Sequence, residues 1–170
     1  RTLIGYNKNK EPNQMTLPNN ASTRWRYDRL GRSKVTIDPK GNIQRRTFDL
    51  LGQLTKVQEP DGNVLKLKYD VQSNAINLKD NQRDIQLAYI GLRKLKTRTE
   101  NGTEVEFGYD TDGQLITITN EHRSVYKFDR DPNGNVILES GFDGLKHYYE
   151  RDTIGRVAKV TKSSGIESFF

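Results

Sequence analysis

The sequence predicts an all-β protein built from tandem β-hairpins that form a long antiparallel sheet. Three observations carry that prediction. Aromatic residues recur at a near-constant interval, Gly- and Asn-rich turn signals interrupt the chain about every ten residues, and the segments between turns alternate apolar and polar side chains. No window sustains a helical period of 3.6 residues.

The aromatic series is Tyr6, Tyr27, Phe48, Tyr69, Tyr89, Tyr109, Phe128, Tyr149 and Phe170, at intervals of 19 to 21 residues. An acidic residue follows many of these rings, as Asp28, Asp49, Asp70, Asp110, Asp129 and Glu150. Glycine falls four residues after the ring at Gly31, Gly52 and Gly113, with Ser73 in its place once, and six residues after it at Gly134 and Gly155. A second turn follows about ten residues later, at Asp38-Pro-Lys-Gly41-Asn42, Glu59-Pro-Asp-Gly62-Asn63, Asn101-Gly102, Asp143-Gly144 and Ser164-Gly165. The chain therefore reads as a single array, residues 1–170, of about eight units of roughly 20–21 residues. Units four and five are irregular: Ile90 follows Tyr89, and the turn at Asp80-Asn81 lacks glycine.

The strands expected are Ser33–Ile37, Ile43–Phe48, Leu54–Gln58, Val64–Tyr69, Ile85–Tyr89, Val105–Tyr109, Leu115–Thr119 and Val125–Phe128. Each is rich in Val, Ile, Thr, Tyr or Phe. Leu65, Leu67 and Tyr69 share one face, with Lys66 and Lys68 on the other. Asp38-Pro39-Lys40-Gly41 has the chemistry of a type I turn closed by a left-handed glycine. Each unit is one hairpin, which adds a rise of about 10 Å along the sheet. About sixteen strands result, and an open sheet of that size must curl or close.

In this scheme the rings of Tyr27, Phe48, Tyr69, Tyr89, Tyr109, Phe128 and Tyr149 are structural anchors. They stand too far apart to stack, so Ile76, Leu78, Ile116, Ile118, Ala158 and Val160 are expected to fill between them. Asp28, Asp49, Asp70 and Asp110 are expected to bond turn amides, and Gly31, Gly41, Gly52 and Gly62 to supply the left-handed turn positions. If Tyr69 or Tyr109 is buried, truncation to Ala costs about 3–5 kcal/mol.

Composition narrows the function. The chain has 170 residues, 32% of them hydrophobic, and a mean hydropathy of -0.88. A thin fold with most residues near a surface is expected. There is no cysteine, which excludes disulfides, thiol catalysis and thiolate metal sites. No apolar run is long enough for a membrane helix, and no signal peptide opens the sequence; a start at Arg1 reads as that of a processed or excised piece.

The net charge is +6, and the densest basic stretch is Arg24, Arg26, Arg29, Arg32, Lys34, Lys40, Arg45 and Arg46, diluted by Asp28 and Asp38. It reads as a solvated strand face, and nucleic acid is not expected as a partner. Asp129-Arg-Asp131-Pro-Asn133-Gly134 has the opening of a calcium loop, but Ser140 stands where the loop needs Glu, and no metal is expected. His122 and His147 lie 25 residues apart with no ligand-spaced carboxylate near both. No cofactor and no catalytic residue are expected. Trp25 shares the face of Tyr27 and reads as packed, whereas Tyr148 opposes Tyr149 and is the one aromatic expected to be exposed for binding.

Tyr27-Asp-Arg-Leu-Gly-Arg32 and Pro39-Lys-Gly-Asn42, with a looser copy at Tyr149-Glu-Arg-Asp-Thr-Ile-Gly-Arg156, resemble the Rhs or YD-repeat family. The resemblance runs through essentially the whole chain. The family includes bacterial Rhs polymorphic toxins, wall-associated toxins, the shell proteins of insecticidal toxin complexes, and teneurins. It implies a spiralling β-sheet that serves as a non-catalytic scaffold, enclosing or displaying a toxin or adhesion domain. The partners implied are flanking repeats or a toxin domain of the same parent, which is secreted or at the cell surface and in bacteria delivered by a secretion system. The arginine- and tyrosine-rich core segment of complete members is not among these residues, so enclosure is implied for a parent protein. The competing expectation is a cell-surface module that binds glycans or a protein.

Overall fold

The computed structural model describes residues 1–169, all-β and without a helix among them. Phe170, the last ring of the aromatic series, lies outside the described residues. Two compact units divide the chain, residues 1–85 and 86–170.

The first unit holds β1 (Leu3–Tyr6), β2 (Pro12–Thr16), β3 (Ser22–Tyr27), β4 (Ser33–Ile37), β5 (Ile43–Phe48), β6 (Leu54–Gln58), β7 (Val64–Tyr69) and β8 (Ala75–Lys79). Each strand pairs antiparallel with the next. β9 (Asp84–Ile90) runs through the division. The second unit continues with β10 (Lys94–Glu100), β11 (Thr103–Tyr109), β12 (Leu115–Thr119), β13 (Val125–Arg130), β14 (Val136–Ser140), β15 (Lys146–Arg151), β16 (Val157–Lys162) and β17 (Glu167–Phe169), again paired in order. Strand–turn–strand connections of this length permit only that meander.

Five of the eight expected strands coincide with the observed ones to the residue. The other three, at Ile85–Tyr89, Val105–Tyr109 and Val125–Phe128, are one or two residues longer at one or both ends. The extension of β13 to Arg130 and of β15 to Arg151 changes the reading of the later units. Asp129 and Glu150 lie inside strands, and the turn carboxylates are Asp131 and Asp152. This explains why glycine appeared six residues after Phe128 and Tyr149. Measured from Asp131 and Asp152, Gly134 and Gly155 occupy the ordinary position.

The thin fold is evident in the burial. Among the described residues only Val57 and Asn74 are buried, each at 7% of its free exposure. Val57 faces Arg46 on one side and Leu65 on the other. Of the residues expected to fill between the rings, Leu78, Ile118 and Val160 pair across from Leu67, Phe107 and Tyr149. Ile76, Ile116 and Ala158 are instead the unpaired residues of β-bulges.

Candidate functional site

Turn chemistry builds the lattice. In the Tyr27 unit, Gly31 N–H donates to the Asp28 carbonyl at 3.2 Å, and Asp28 N–H donates to the Arg32 carbonyl at 3.0 Å. The Asp28 carboxylate accepts from the amides of Leu30 and Arg32 at 2.9 and 3.1 Å, and from Arg32 Nε at 2.7 Å. The same clamp recurs at Asp38, Asp70, Asp131 and Asp152, each accepting from amides two and four residues on. At Asp49 and Asp110 the amide four residues on is held, at 2.8 Å. These are Asx turns fused to type I turns.

The residue that closes each turn is left-handed. Gly41 and Gly62 have φ of +85° and +90°, and an added Cβ would meet nothing within 4 Å there, so backbone conformation alone demands glycine. Gly31 and Gly52 adopt the same conformation, at +75° and +84°. Lys10, Asn20, Ser73 and Arg123 occupy the equivalent position with φ of 62–68°.

The clamps set carboxylate acidity. The Asn42 side chain and its amide hold Asp38 below the usual carboxylate range. The Gln82 amide, together with the Arg83 side chain and amide, pulls Asp80 down to about 2. Asp131 is lowered by the Asn135 side chain and amide, and Asp152 by Arg156 in the same way.

A second set of bonds ties each turn to the one before it. Tyr27 Oη donates to the Pro12 carbonyl at 2.6 Å, Tyr69 Oη to Leu54 at 2.9 Å, and Tyr109 Oη to Leu95 at 2.9 Å. Phe48 cannot donate; the Arg32 guanidinium lies 4.8 Å over its ring and reaches the Asp49 carbonyl. In the second unit Arg130 and Arg151 hold this place. Their Nη2 atoms donate to Leu115 and Val136 at 3.1 and 3.2 Å, and their Nη1 atoms to Gly134 and Gly155 at 2.9 Å. Phe128 and Tyr149 stand two residues earlier on the same face. β-Bulges sit at this turn-flanking residue in seven hairpins, from Tyr6 to Arg151.

The ring series does not mark Arg130 and Arg151, which stand two residues beyond Phe128 and Tyr149. The interval of 21 residues from Asp110 to Asp131 to Asp152 marks the position in sequence. Tyr89 is half-buried in β9 and is followed by a tighter turn in which Arg93 N–H donates to Gly91.

The face opposite the anchors is polar. Tyr148 is 44% exposed and pairs across from Leu138 and Thr161, so no second ring flanks it there. Trp25 is half-buried beside Tyr27. His122 lies in a turn near Glu121, and His147 faces Glu139 and Lys162. On the anchor face Glu139 accepts from Tyr126 Oη at 2.6 Å, and Tyr126 packs against Phe142 with ring centroids 5.6 Å apart. Among the described residues no three His, Cys, Asp or Glu side chains gather as metal ligands. Asp131, the centre of the calcium-like stretch, is occupied by two amides and the Asn135 side chain. No helix among the described residues is long and apolar enough to cross a membrane.

A lattice of clamped hairpins defines a tandem β-hairpin repeat protein. The chain superposes on solved structures of TcdB2-TccC3 complexes and of a Tc holotoxin pore. On TcdB2-TccC3-Cdc42 the TM-score is 0.74 at 16% identity, over 84% of this chain. TcdB2-TccC3 without its hypervariable C-terminal region gives 0.74 at 18% identity over the same share. The Photorhabdus luminescens Tc holotoxin pore carrying a TccC3 mutation gives 0.64 at 16% identity over 95%. These are Rhs/YD-repeat shell proteins, and the likeness establishes that this chain has their fold. The chain spans about 9% of the length of each. No family model and no curated protein matches the sequence.

Proposed function

We propose that this chain is a structural, non-catalytic segment of a YD-type shell, one array of eight hairpin units that forms wall around another polypeptide of the same parent protein. The anchors proposed are Tyr27, Phe48, Tyr69 and Tyr109, with Arg130 and Arg151 in the later units. The observation that carries the reading is the turn-to-turn bonding. Every anchor but Phe48 donates its polar end to the backbone beside the preceding turn, and the clamped turn carboxylates are committed to amides. Side chains that an enzyme would hold ready are here used to fix the lattice.

A hairpin that cannot bury its own apolar face gains stability only from its neighbours, which suits continuous wall. The outer strands β1 and β17 bear exposed Leu3, Ile4, Tyr6 and Phe169, as expected where flanking repeats pair on. Exposed Leu30, Leu50, Leu51 and Val71 at successive turn tips supply further apolar contact for neighbouring wall. The parent is proposed to be exported, like the toxin complexes whose fold it shares.

Limited proteolysis of the parent protein tests this. With the segment intact, the enclosed polypeptide resists a protease that digests it when free. Excising residues 1–170 exposes it to cleavage. Equal protection with and without the segment overturns the reading.

A further inference from the structure

The polar face of the first unit carries an unusual charge distribution. Strand pairing places Arg24, Arg26, Arg45, Lys56, Lys66, Lys68 and Lys79 on this one face, all exposed. Lys56 stands directly across from Lys66, and Lys66 directly across from Lys79. Like charges in that relation destabilise a sheet. Lys34, Arg45 and Lys56 also line a hollow of about 210 Å³ there, with Val35, Thr47 and Gln58.

Compensation from within is slight. Among the described strand residues of this unit, Asp84 is the one carboxylate, and Lys79 Nζ and Asn77 Nδ2 already hold it at 2.6 and 2.8 Å. Asp28, Asp38, Asp49, Asp70 and Asp80 are all held in turns. On the corresponding face of the second unit Lys127 pairs with Asp129, and Lys159 with Glu150 and Glu167. The repeat fold therefore tolerates carboxylates on its polar face, and the first unit, with Asp84 alone, departs from it.

We infer that this face is a docking surface for an acidic polypeptide segment. Three features select a polypeptide over nucleic acid. Trp25, Tyr27, Phe48 and Tyr69 all lie on the opposite face, so no rings are available to stack bases. Val35, Ile37, Ile43 and Val64 lie half-buried between the cations and offer contact to apolar side chains. An extended chain with a carboxylate at every second residue spaces its charges about 6.8 Å apart, as Lys66 and Lys68, or Arg24 and Arg26, are spaced along their strands. The inference adds the partner's chemistry to the scaffold reading. Its test reads binding rather than enclosure, so either can fail alone.

The test is fluorescence anisotropy with the 170-residue chain and a labelled peptide of six Glu-Val repeats, against a Ser-Val peptide, oligo-dT and duplex DNA. The Glu-Val peptide is expected to bind at low salt and to lose about tenfold or more in affinity when salt is raised fourfold. K56Q/K66Q/K68Q, and separately R24Q/R26Q, are expected to weaken it by about tenfold. K127Q/K146Q in the second unit is expected to change it less than about twofold. Circular dichroism confirms that each variant is folded. Absence of peptide binding, equal binding by both first-unit variants and the second-unit control, or tighter binding of either nucleic acid overturns the inference.

Discussion

Arg130 donates from Nη2 to the backbone carbonyl of Leu115 at 3.1 Å, just as Tyr109 donates from its hydroxyl to Leu95 at 2.9 Å. Two chemically unlike side chains thus perform one task, tying a turn to its predecessor. What the repeat conserves within itself is a donor that reaches back 14 or 15 residues. Arg130→Tyr is therefore expected to preserve stability to within about 0.5 kcal/mol, whereas Arg130→Ala costs about 1–2 kcal/mol. Urea unfolding of both variants checks this; equal losses refute the equivalence.

Tyr69 is half-buried, so the cost of truncation expected for a buried ring does not apply in full. Tyr69→Ala is expected to cost about 2 kcal/mol, and Tyr69→Phe about 1 kcal/mol through loss of the bond to Leu54. A Phe variant as stable as the parent chain would show that the hydroxyl contributes nothing.

Ser73 sits at φ 68°, in the position glycine takes in neighbouring units. A side chain there costs about 1 kcal/mol relative to glycine. Ser73→Gly is expected to raise the melting temperature, since relief of left-handed strain outweighs the added freedom of the unfolded chain. Gly41→Ser, the reverse change, is expected to lower it. Differential scanning calorimetry on the two variants gives the sign directly.

Asp38, Asp131 and Asp152 are more acidic than ordinary carboxyls, held below the usual carboxylate range by their turn bonds, and Asp80 is held at about 2. Groups depressed in the fold stabilise it above their unfolded value near 4, and that contribution disappears as pH falls through the folded values. The melting temperature is expected to be flat from pH 7 to about 5 and to fall from about pH 4 toward 2. D38N/D80N flattens the fall. An identical acid profile in wild type and variant rejects the assignment.

Tyr126 is pushed up to about 12 by its bond to Glu139 and by burial. A phenol raised in the fold favours the neutral form, so its contribution is complete below pH 10 and lost as pH passes through the folded value. Ultraviolet difference titration is expected to show Tyr126 ionising last, with Tyr69 and Tyr149 also raised above the ordinary phenol by burial, and E139Q is expected to bring Tyr126 back toward 10. If all tyrosines of the folded wild type ionise together near 10, the bond is not maintained in solution.

Sequence alone determined the strand class, five strands to the residue, the turns of the regular units and the alternation of faces, because each rests on local chemistry. Asp38-Pro39-Lys40-Gly41 specifies its turn through fixed φ, a carboxylate and a left-handed glycine. Val64–Tyr69 specifies its strand through period-two alternation. The resemblance carried by Tyr27–Arg32 likewise anticipated the fold that the superpositions establish. The register of the later units was decided only in three dimensions. Phe128 and Tyr149 resemble anchors by type, yet strand pairing carries β13 and β15 two residues further and sets Arg130 and Arg151 against the preceding turn. The lysine row belongs to the same category. Lys56, Lys66 and Lys79 are separated by 10 and 13 residues in the chain, and hydrogen bonding between strands alone makes them neighbours. Local propensity sets what each segment is, whereas long-range pairing sets which side chains meet, and that second choice leaves no mark on either segment alone.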